Sequence, residues 1–138
     1  MGDPCRKNED GLKHVVPLSK QVLRILEQLK KVNGNSEYVL PNRRDLNRHM
    51  SRDAFSKAVR LLGFQDRHCA HGFRAMAETL IQEQLDYDFS IVDRQLAHKH
   101  KGSLGATYNR AQFLEKRTIM MQDWADYIDS LKISNSSL

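Results

Sequence analysis

Four residues in this chain have types and spacings that could carry chemistry on a phosphate: His71 and Arg74 in His-Gly-Phe-Arg, His98 in Leu-Ala-His-Lys, and Tyr108 in Thr-Tyr-Asn-Arg. Attack on a phosphodiester adds negative charge to its nonbridging oxygens. Fixed donors aimed at those oxygens are the main means by which a protein lowers such a barrier. Arginine suits that task because its planar fork stays protonated and meets phosphate through two parallel hydrogen bonds, whereas lysine acts as a point charge. A three-residue spacing places His71 and Arg74 on one face of a helix, where both could hold a single phosphate. Histidine near neutrality can donate to the oxyanion or move a proton. Tyr108 would then be the nucleophile, its phenol eased toward the phenolate by nearby cationic donors.

Hydrophobic periodicity supplies the elements that must position these residues, and it predicts a mainly α fold with a small N-terminal β element. A short strand is expected over Lys13–Leu18, as half of a hairpin. A helix follows, capped by Ser19 and running to about Lys31, with Val22, Ile25, Leu26 and Leu29 as its apolar stripe and Gly34 at its end. After a short extended piece over Tyr38–Leu40, Ser51 is expected to cap a helix that buries Phe55, Ala58, Val59 and Leu62 and stops at Gly63. The helix from His71 to about Leu85 should bury Phe73, Ala77, Leu80 and Ile81, leaving His71 and Arg74 to face a ligand. Another starts at Asp88, with Ile91, Val92 and Leu96 inside and His98 just past its end. Gly102 and Gly105 would let Tyr108 swing relative to the clamp. The last helical stretch is expected over about Thr107–Leu131, packed through Met120, Trp124, Ile128 and Leu131. Residues 1–12 are expected to be a flexible start and residues 133–138 a disordered tail.

The words around these residues are specific. AHGFRAMAETLIQEQ followed by VDRQLAHKHKGSLGATYNRAQFLEKRTIMMQDWADYID resembles the tyrosine recombinases, and within them the integrases encoded by phages and genomic islands. HVVPLSKQVLRILEQL and YVLPNRRD upstream fit the same pattern, so the resemblance extends over roughly residues 6–131. It implies a partial tyrosine-recombinase catalytic domain over residues 13–132, in which Tyr108 forms a transient 3′-phosphotyrosyl bond to DNA. Arg74 matches the second arginine of the catalytic set, His71 the His or Lys position before it, and His98 the His or Trp position that contacts the scissile phosphate. A lysine in the hairpin preceding the His-Val-Val-Pro-Leu segment protonates the leaving 5′ oxygen in the family. Lys7 and Lys13 both lie there, and Lys7 is preferred because Lys13 abuts the strand start. The resemblance also implies no metal and no cofactor, double-stranded DNA attachment sites as partner, and other integrase subunits in a tetramer.

In one respect these 138 residues depart from the family's pattern. The first catalytic arginine, which belongs to a Leu-Thr-Gly-x-Arg-like helix start upstream of the hairpin, has no counterpart, and Arg6 is too close to the hairpin to replace it. Arm-binding and core-binding domains are absent too. The chain is therefore expected to be a catalytic-domain fragment that binds DNA weakly and does not cleave it efficiently by itself.

Composition agrees with a DNA-facing domain. A formal net charge of +5 and a pI near 9.4 favour a polyanionic partner. The basic excess lies in residues 1–110, while residues 111–138 hold 3 basic and 4 acidic side chains, so the tail should pack on protein rather than track DNA. No apolar run suits a membrane span or signal peptide, and a cytoplasmic location is expected. Two cysteines, Cys5 and Cys69, do not make a disulfide framework.

Singly, each candidate has a plainer reading: His71 as a capping histidine, Arg74 as a surface ion pair, Tyr108 as a half-buried aromatic. Their order gives them weight. A zinc site from His68, Cys69, His71, His98 and His100 fits no compact metal-binding spacing. The opposing function is a non-enzymatic DNA-binding module in which the 51–62 and 71–85 helices form a helix-turn-helix pair. That alternative leaves Tyr108 and its neighbours without a role.

Overall fold

The computed structural model describes residues 14–98 and 113–135, with side chains through residue 132. Five α-helices carry these residues: α1 Lys20–Asn33, α2 Ala54–Val59, α3 Gly72–Leu85, α4 Phe89–Gln95 and α5 Leu114–Asn135. Lys20–Thr79 form one compact unit. The described residues before and after it, through Ser19 and from Leu80 onward, form a second.

In the unit formed by residues 20–79, α1 follows the buried Ser19 and ends against Gly34. A Cβ at Gly34 would stand 2.8 Å from the Lys30 carbonyl oxygen, which is why the chain turns there on a glycine. The extended piece near Leu40 pairs only as an isolated antiparallel bridge between Pro41 and His49, supported by a 2.9 Å bond from Met50 N–H to the Leu40 carbonyl. The helix expected from Ser51 starts three residues later, at Ala54. It passes after Val59 into a π-turn over Arg60–Phe64, in which Gly63 takes φ 86°. This wider turn breaks the 3.6-residue period. Val59 is buried, but Phe55 and Leu62 are exposed, contrary to the single buried face expected for them.

In the other unit, Asp88 caps α4, its carboxylate accepting a 2.8 Å bond from Ser90 N–H. Bonds from the Ser90 hydroxyl and N–H hold the Asp88 carboxyl below its ordinary pKa. Ile91 and Val92 are buried as the apolar pattern requires, and α4 packs on α5, whose Met120 is fully enclosed. Ile81, in the second half of α3, is buried as well. Ile128 and Leu131 remain exposed, so α5 is fixed through its first half. It continues helically to Asn135, past the expected end at Leu131 and into the stretch expected to be a disordered tail.

The expected strand over 13–18 does not form in its described part. Residues 14–19 have no regular secondary structure, and no strand occurs among the described residues. A strand exists only with a partner along its edge. Here the Val15 carbonyl bonds to a side chain, the Arg117 guanidinium, at 2.6 Å. Among the described residues no helix is long and apolar enough to cross a membrane.

Candidate phosphate-binding site

His71 and Arg74 both lie at the start of α3. His71 occupies the turn before the helix, and its carbonyl accepts a 3.0 Å bond from Arg74 N–H in the opening turn. The His71 side chain is exposed and that of Arg74 half-buried. What fixes this turn is a contact between His68 and the helix: its ring stands edge-on to Phe73, with centroids 4.3 Å apart. A Cβ on Gly72 would lie 2.8 Å from His68 Cε1, so glycine lets the ring lie against the helix start. Phe73 was expected to be buried within the domain; it is about half exposed and serves as the face for His68. A guanidinium and an imidazole at one helix start, at the positive end of the helix dipole, make a local surface suited to an anion.

His98 lies in the other unit, just past α4 as expected, and the structure shows how it is held. The α4 terminus is a Schellman turn: Ala97 N–H bonds to the Arg94 carbonyl at 3.2 Å and His98 N–H to the Asp93 carbonyl at 3.4 Å. Ala97 supplies the left-handed residue at φ 53° where glycine is usual. The turn folds His98 back so that its Nδ1 meets Asp93 Oδ1 at 3.0 Å. Asp93 is buried, whereas the His98 side chain is 37% exposed.

Sequence reasoning missed the charged groups beneath this turn. Arg117 is fully buried on α5 and donates from Nε to Gln95 Oε1 at 2.8 Å as well as to Val15. Burial foremost, and repulsion from Arg94 second, pull its pKa down. Arg94 is buried as well, and its Nε has no hydrogen-bond partner among the described residues. Tyr87, between α3 and α4, donates its hydroxyl proton to Asp123 on α5. A cation inside a helix reads from sequence as solvated. The one available signal for Asp93 is an acid five residues before a histidine at a helix end.

Tyr108 and Lys7 lie outside the described residues, as does the Lys99–Gly105 linker. Cys69 is a free, exposed thiol. Among the described residues no three His, Cys, Asp or Glu side chains gather as a metal site.

Comparison with known proteins adds an independent line. The profile of the phage integrase family matches residues 6–115. The chain is 36% identical over 119 residues to the integrase of Enterobacteria phage P4, covering 84% of this chain and 27% of that protein. It is 37% identical over 124 residues to the prophage integrase IntZ of Escherichia coli (strain K12), covering 90% of this chain and 30% of the relative. The integrase of Shigella phage Sf6 is 36% identical over 117 residues, with 84% and 30% covered. The chain thus spans less than a third of the length of these curated relatives. No solved structure is a significant match.

Proposed function

The chain belongs to the phage integrase family, and from that membership we propose that it is the catalytic-domain part of a site-specific DNA recombinase that works through a phosphotyrosine. The observation that carries this reading is the place of His71 and Arg74, an exposed and a half-buried side chain three residues apart at the opening turn of α3, within the stretch that the family profile matches. A guanidinium and an imidazole offered from one helix start suit the nonbridging oxygens of a phosphate whose charge is growing. His98, whose Nδ1 meets Asp93, has the proposed role of a further phosphate donor.

In this mechanism the Tyr108 phenol oxygen attacks phosphorus and passes its proton to solvent water. The bond from phosphorus to the 5′ oxygen breaks, and the DNA strand is left joined through its 3′ phosphate to the tyrosine. Lys7 delivers a proton to the departing 5′ oxygen. A 5′-hydroxyl from the partner strand then attacks the phosphotyrosine, restoring the tyrosine and rejoining DNA. Because the ester bond is conserved, no nucleotide is consumed. The biological outcome is integration and excision of a prophage or genomic island, by a tetramer on two duplexes. The 138 residues alone bind DNA weakly, with strong salt dependence, and cleave inefficiently because they contain no match to the family's first catalytic arginine.

The test uses the full-length integrase and duplex DNA carrying its attachment site. Tyr108→Phe abolishes the covalent protein–DNA adduct while DNA affinity stays within about twofold, since only the nucleophilic oxygen is removed. Adduct formation and recombination that persist in Tyr108→Phe would remove the nucleophile assignment and leave a helical DNA-binding module as the better account.

A further inference from the structure

We infer that Asp93 is a positioning residue for the phosphate-binding histidine, holding His98 by both backbone and side chain so that one ring nitrogen alone is presented to DNA. The inference rests on the proposed role of His98.

Two bonds tie the same pair. The Asp93 carbonyl accepts the His98 N–H at 3.4 Å, closing the Schellman turn, and the Asp93 carboxylate meets His98 Nδ1 at 3.0 Å. An ionised carboxylate can only accept, so Nδ1 carries the hydrogen of that bond. Nδ1 is thereby occupied, and Nε2 is the nitrogen left for a ligand. The species that donates from Nε2 to a phosphate oxygen is the imidazolium, whose Nδ1–H the carboxylate continues to accept.

Burial separates this arrangement from an incidental surface pair. Asp93 is 8% exposed on α4, the helix whose Ile91 and Val92 belong to the core, so its carboxylate is carried on a packed element. His98 is more open, with 37% of its side chain accessible. A fixed acid beneath a more accessible imidazole is what orientation requires: the inner partner sets the ring plane and the outer edge meets the substrate. The left-handed Ala97 is part of the same device, because without that reversal the backbone could not return His98 toward a residue five positions earlier.

The test combines a spectrum with a mutant cycle. In the 138-residue chain, nitrogen-15 NMR of the histidine rings should show His98 protonated at Nδ1, and Asp93→Asn should move that resonance. In the full-length integrase, Asp93→Asn should slow single-turnover cleavage of attachment-site DNA by about 10- to 100-fold, with affinity changed less than about twofold. In a His98→Ala background the same substitution should add almost nothing, because an effect transmitted through His98 is already lost. Additive losses in the double mutant, or an unaltered His98 spectrum in Asp93→Asn, would overturn the inference. Should His98→Ala cleave at the wild-type rate, the reading of His98 fails and the positioning role fails with it. In that case an intact Nδ1 signal places the error in the function of His98 rather than in the pairing.

Discussion

The Arg117 guanidinium donates a 2.6 Å hydrogen bond to the main-chain carbonyl of Val15, a residue 102 positions earlier in the chain. Through its Nε the same group reaches Gln95 at the end of α4. One buried side chain therefore joins the segment after Lys7, the helix before His98 and the helix after Tyr108. Arg117→Met should destabilise the chain by about 3 kcal/mol, since two charge-assisted bonds are lost. Arg117→Lys should recover only part of this, because an ammonium cannot reproduce the planar fork. Urea denaturation of the three proteins measures both; equal midpoints for wild type and Arg117→Met would mean that the buried bonds contribute nothing net.

Ala97 adopts φ 53° in the turn that presents His98. An alanine there bears the steric cost of the left-handed region, which a glycine avoids. Ala97→Gly should raise stability by about 1 kcal/mol, read as a higher denaturation midpoint. A fall instead would show that the alanine methyl contributes more through packing than it costs in strain.

Tyr87 is expected to titrate abnormally. Burial foremost, and then its bond to the Asp123 carboxylate with the repulsion that a phenolate would suffer there, push its pKa up from 10.0 to about 12. The folded chain thus holds this proton more tightly than the unfolded chain does. The contribution is complete below pH 10 and disappears as the pH rises toward 12. Spectrophotometric titration should show one tyrosine ionising late, and Asp123→Asn should bring that step to lower pH. A Tyr87 that ionises near 10.0 would mean that the Asp123 bond is not maintained in solution.

Arg74 gives the sharpest contrast between charge and geometry. In the full-length integrase, Arg74→Lys keeps the charge and loses the fork, and cleavage should fall by about 100-fold or more while DNA affinity changes little. Measured as single-turnover adduct formation, a lysine variant with near-wild-type rate would assign Arg74 to general DNA attraction rather than to the reacting phosphate.

Elements whose signals are local were legible in the sequence. Asp88 as a cap, Ile91 and Val92 as a buried face, and His98 just beyond α4 follow from residue types read a few positions at a time. So does the start of α3 beside His71. What escaped the sequence depends on distant chain. Lys13–Leu18 carries strand-forming residues, but at Val15 the carbonyl is taken by a side chain from α5. The stripe through Phe55, Val59 and Leu62 assumed an unbroken helical period, which the π-turn at Arg60–Phe64 interrupts. Nothing in the local sequence marks Ala97 as left-handed or Arg117 as enclosed. Those properties are imposed by packing, which overrides the ordinary preference of both residue types.

The Val15–Arg117 bond also has a meaning in the order of synthesis. Residues 20–79 form a unit whose sequence is complete long before Arg117 is made, whereas the unit containing Val15 has its two parts on either side of that stretch. On the ribosome the inserted unit can gather its own contacts early. The outer unit must wait with Val15 unanchored until α5 has emerged from the exit tunnel. Translation that stalls before Arg117 would therefore release a chain with its middle formed and its clasp open.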